Sequence, residues 1–141
     1  MNAAAAVAVA ATFVWLGMVL AISFLEAPLK FRAPGVTLPI GLGIGRLVFR
    51  ALNTAEVILA AAVLAALAAG SPSGRVIAPL AVAMAGLAAQ LLFVRPRLTR
   101  RSDVVLAGQD APRSHAHYAY VGLEAIKVAA LLAGGSLLLA S

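Results

Sequence analysis

Hydrophobic residues in this chain do not alternate with polar ones; they run in four long blocks separated by short polar clusters. The blocks cover residues 4–25, 40–69, 77–94 and 117–140. Crossing the hydrocarbon of a bilayer takes about 20 predominantly apolar residues in a helix, so each block predicts a transmembrane helix. Strands of a membrane barrel would instead alternate apolar and polar positions over short segments. The predicted fold is all-α: one domain, residues 1–141, forming an integral membrane four-helix bundle.

Proline, glycine and serine mark the connections. Pro28 is expected to end or kink the first helix. Pro34-Gly35 signals a turn, and Pro39 suits the first turn of the second helix. Ser71-Pro72-Ser73-Gly74 separates the second helix from the third, which is expected to leave the bilayer at Val94-Arg95-Pro96-Arg97. Residues 98–109 then predict a short surface helix closed by Asp110-Ala111-Pro112. Gly41, Gly43 and Gly45 do not form a nucleotide fingerprint, because the spacing differs and no strand precedes them. They read as positions of close backbone approach or bending.

Composition agrees with this picture. Hydrophobic residues make up 63% of the chain and charged residues 11%, and the mean hydropathy is +1.02. The net charge of +6 is distributed as a topology signal. Lys30, Arg32, Arg46 and Arg50 flank the first connection, and Arg95, Arg97, Arg100, Arg101 and Arg113 crowd the third. The second connection carries only Arg75. The positive-inside rule assigns connections one and three to the cytoplasm and both termini to the opposite face of an inner membrane. The same cations suit anionic lipid head groups. No recognition motif accompanies them, which argues against nucleic acid as a partner. The first block lacks Lys or Arg ahead of its apolar run, so it reads as a retained span. The absence of cysteine removes thiolate chemistry and disulfides.

Two of the five acidic residues, Glu56 and Glu124, lie inside the blocks. An ionisable group at membrane depth is costly and marks a functional site by default. Arg46, Arg50, Asn53 and Glu56 share one helical stripe, and His117, Tyr120, Glu124 and Lys127 share another. With a rise of about 1.5 Å per residue, Glu56 lies about 9 Å deeper than Arg50, Gln90 about 7.5 Å deeper than Arg95, and Glu124 about 10.5 Å deeper than His117. Asn53, Glu56, Gln90 and Glu124 therefore fall in one layer if the basic residues mark a common boundary. Lys127 sits one turn below Glu124 as a counter-charge.

Several chemistries fit this set. An anionic or amphiphilic small-molecule ligand would place its head near Arg46, Arg50 and Lys127 and its tail along apolar walls. Acid–base work would use Glu56 or Glu124 with His117 or Tyr120, although no reaction and no nucleophilic triad is readable. Metal binding would draw on His115, His117 and Glu124, with Glu56 or Glu26; His115 and His117 diverge on a helix, and Lys127 would repel a cation. The purely structural alternative is an ion pair that holds the bundle in register. The alanine and glycine content also leaves room for a homo-oligomer.

Three stretches carry a resemblance: Trp15-Leu16-Gly17 through Ser23-Phe24 to Ala27-Pro28-Leu29-Lys30-Phe31, then Gly45-Arg46-Leu47-Val48-Phe49, then Arg95-Pro96-Arg97 with His117 seven residues before Glu124. Their order resembles the small four-span membrane family typified by transmembrane protein 205. The resemblance implies a four-span bundle and a role in transport or drug handling. Relatives there tend to carry an amide where this chain has Glu124. Residues 46–56 are also similar to the glutathione-binding helix of the membrane-associated eicosanoid and glutathione enzymes. That likeness implies a four-span, trimeric enzyme with glutathione as cofactor. One residue fewer separates the Arg-Ala pair from Asn53 here, a rotation of about 100°. The expectation is a polar cavity open to the cytoplasmic side that binds or transports a small amphiphilic or anionic ligand.

Overall fold

The computed structural model describes residues 1–111 and 115–141. The described residues form four helices: α1 Ala3–Lys30, α2 Leu38–Ala69, α3 Gly74–Leu106 and α4 His115–Ala140. No strand occurs among the described residues. All four helices are long and apolar enough to cross a membrane, which fits a multi-pass membrane protein. The expected role of Pro112 as a terminator, and Arg113 in the third connection, lie outside the described residues.

Two helices run further than the prolines predicted. Pro28 does not end α1, which continues to Lys30, and Pro96 does not separate a surface helix from α3, which runs unbroken to Leu106. Each proline follows a wide, π-helical turn, Leu20–Glu26 in α1 and Gln90–Val94 in α3. The Ala27 and Arg95 backbone N–H groups accordingly bond to the carbonyls five residues back, those of Ile22 and Gln90. A proline ring in a regular helix strikes the carbonyl four residues back. Here those carbonyls belong to Phe24 and Leu92, inside the widened turns, where the ring has room.

Pro39 lies in the first turn of α2, and the Thr37 hydroxyl accepts the Ile40 backbone N–H at 3.4 Å. The α1–α2 connection turns at Gly35, whose φ of 81° lies in the left-handed region that glycine tolerates.

The half of the bundle that holds both termini is solid. Ala8, Trp15 and Val19 of α1 meet Ala60 and Val63 of α2, Leu80 and Ala83 of α3, and Leu131 and Leu138 of α4 in one buried cluster. Helix α4 passes between its neighbours on glycine. A Cβ at Gly134 would lie 2.7 Å from Leu80 Cδ2, and one at Gly135 2.7 Å from Phe13 Cζ. The other half, where the basic connections gather, contains a smaller core cluster of Val94, Ala116 and Tyr120 against Phe49, Leu98 and Leu123. Helix α2 packs along Ala3–Val19 of α1 but meets α3 over the segment Arg95–Leu106. Between them the basic half is hollow.

Candidate functional site

Where the solid half gives way to the hollow one, four helices contribute to one buried polar cluster. Lys127 on α4 lies at its centre. Its Nζ donates to Glu124 Oε1 at 2.6 Å, to Gln90 Oε1 at 2.7 Å and to Glu56 Oε1. An ammonium has three donors, and all three are used. Gly86 of α3 makes room for the lysine stem, since a Cβ there would stand 3.1 Å from Lys127 Cγ.

The acids are held from further sides. Glu56 Oε1 also accepts the indole N–H of Trp15 at 2.9 Å. Glu124 Oε1 accepts the Gln90 amide at 2.8 Å, and Glu124 Oε2 accepts the Ser23 hydroxyl. The Gln90 amide reaches the Tyr120 carbonyl as well, at 3.3 Å. Glu56, Gln90, Lys127 and Trp15 are fully buried, and Glu124 nearly so. With both acids ionised, two carboxylates face one ammonium and the cluster carries a net negative charge.

Above the cluster, on the basic side, lies a cavity of about 880 Å³. Ser23, Asn53 and Glu124 line its inner end, and Lys30, Arg46, Arg50, Arg95 and Arg101 supply its cations. Glu124 thus belongs to both cluster and cavity, whereas Glu56, Gln90 and Lys127 are sealed beneath. Two of these cations stand over aromatic rings. Lys30 Nζ stands 5.6 Å from the Phe49 ring centre, and the Arg95 guanidinium lies 5.1 Å from Phe49 and 5.5 Å from Tyr120. Such cation–π contacts position a charge, and Lys30 Nζ also stands 3.7 Å from Glu26 Oε2. Arg46 is bound to Asp103 of α3 at 2.6 Å, which ties α2 to the end of α3. Asn53 and Tyr120 line this space, while Asn53 Oδ1 and the Tyr120 hydroxyl are themselves buried without a hydrogen-bond partner among the described residues, as are Thr12 Oγ1, Glu26 Oε2 and Glu56 Oε2.

Of the residues singled out in the sequence, Glu56, Gln90, Glu124 and Lys127 meet in the cluster, while Arg46, Arg50, Asn53, His117 and Tyr120 join Glu124 in lining the cavity. Arg50 is exposed at the cavity's edge and does not pair with the buried acids. The expected close approach at the start of α2 occurs at Gly41, where a Cβ would lie 2.1 Å from Phe31 Cε1, and at Gly45, 3.2 Å from Lys30 Nζ. Gly43 faces open space. No three His, Asp or Glu side chains among the described residues are grouped as metal ligands would be, so His115, His117 and Glu124 form no such set. Trp15, Ser23, Lys30 and Arg95 join the cluster or line the cavity, and the polar stripes did not reveal them. The signal for Trp15 and Ser23 was a donor-bearing residue on an otherwise apolar helix at the depth of an acid.

No known family's sequence model, no curated protein and no solved structure matches the chain.

Proposed function

We propose that the chain is a four-span inner-membrane protein whose basic half binds, or carries across, a small amphiphilic or anionic ligand. The observation that carries this reading is the 880 Å³ cavity with cations along its wall and the polar side chains of Ser23, Asn53 and Glu124 among its lining. Ligand sites commonly have about 300–1,000 Å³ of concave, mostly apolar space with a few convergent polar groups. The positive-inside rule orients the cavity toward the cytoplasm and both termini away from it. Kinship with the four-span family typified by transmembrane protein 205 would accord with such a role.

A role confined to structure explains the ion cluster but not the space above it. The test is a titration of the protein in zwitterionic nanodiscs with dodecanoate, read by calorimetry against empty nanodiscs. Saturable binding of one ligand per chain is expected, weakened about tenfold, or about 1.4 kcal/mol, when Lys30 and Arg95 are both changed to alanine. Heats identical to those of empty nanodiscs would refute the reading.

A further inference from the structure

The cavity's cations and its apolar surfaces lie in different places. Arg46 and Asp103 join α2 to the end of α3 at the basic side. Deeper in the bundle the helices part. Helix α1 packs on α4 through Ala3–Val19, before its wide turn begins, and α2 meets α3 beyond the turn Gln90–Val94. Apolar residues at these partings line the cavity and keep much of their surface uncovered by protein: Val57 is 48% exposed, Ile58 64% and Val121 42%. Val57 lies about 16 Å along α2 from Arg46, well within the apolar belt of the helix. A hollow that served only a water-borne anion would need no such uncovered apolar margins where the helices part.

Resting on the ligand-binding reading above, we infer that the ligand is a single-chain amphiphile with an oxyanion head, and that it is admitted sideways from the bilayer. Its head lies among the side chains of Lys30, Arg95 and Asn53, and its tail leaves through one of the two partings, between α2 and α3 past Val57 or between α1 and α4 past Val121. Charge complementarity sets the head group. The uncovered margins set the tail, because the surrounding lipid offers it a continuous apolar path.

A free anion with the same head is the competing source, and chain length distinguishes the two. Protein in zwitterionic nanodiscs is titrated with acetate, hexanoate, decanoate and dodecanoate, with empty nanodiscs subtracted. Saturable affinity referred to the aqueous concentration should rise about fourfold per added methylene. Val57→Trp and Val121→Trp add bulk at exposed positions, so packing is spared; together they should weaken dodecanoate about tenfold and leave acetate unchanged. Dodecanoate binding no tighter than acetate, or indifferent to both tryptophans, would overturn sideways admission while the anion cavity stands. Binding of neither anion would remove the cavity reading and this inference together.

Discussion

Lys127 directs all three of its ammonium protons to acceptors that are themselves buried. Removing one partner of a buried ion pair costs about 3–5 kcal/mol, because the other charge is left uncompensated. Lys127→Met, of similar length, is therefore expected to lower stability by about that amount, measured by denaturant unfolding in detergent. Converting Glu56 and Glu124 to glutamine in the same chain should recover much of the loss, since amides carry no charge to strand. A Lys127→Met protein as stable as its parent would contradict the central role of the lysine. At this scale the sequence was informative where a residue was out of place. Glu56, Gln90, Glu124 and Lys127 stand out because hydrocarbon penalises them. Trp15 and Ser23 do not, because an indole or a hydroxyl is ordinary in an apolar helix and only a partner from another helix reveals its use.

The four helices were legible as elements because hydropathy over some twenty residues is set by the bilayer, and most of their ends were too, but not those near Pro28 and Pro96. Pro28 and Pro96 carry the sequence mark of a terminator, and the wide turns that absorb them leave no trace in composition. Contacts between helices were likewise hidden, since they depend on rotation about each axis. Glycine makes this testable by two substitutions of one kind. A Cβ at Gly134 would strike Leu80, which is fully buried and cannot swing aside, whereas a Cβ at Gly17 would meet nothing within 4 Å. Gly134→Ala should then cost about 1–3 kcal/mol by overpacking, and Gly17→Ala should leave stability unchanged or raise it by up to about 1 kcal/mol. Equal effects on unfolding would mean that α3 and α4 do not meet as closely as this packing requires.

On the scale of the whole molecule, a solid half and a hollow half are stacked along the bundle axis, and the cations collect at the hollow end. Helix α2 alone, at 32 residues, spans about 48 Å against a hydrocarbon thickness of about 30 Å. Its basic first turns can thus reach the head-group layer while Glu56 stays deep. Which face of the membrane the hollow end meets follows from where the Lys and Arg residues cannot be translocated. The chain contains no cysteine, so single introduced thiols report this directly. Ser73→Cys and Ser141→Cys, both at exposed positions, should react with an impermeant maleimide in intact cells. Ala33→Cys, in the exposed α1–α2 connection, should react only after the membrane is opened. Four crossings require Ser73 and Ser141 to behave alike, so disagreement between them would break the four-span topology. Agreement with Ala33 labelled in intact cells would invert the orientation instead, and the cavity would then draw its ligand from the outer face.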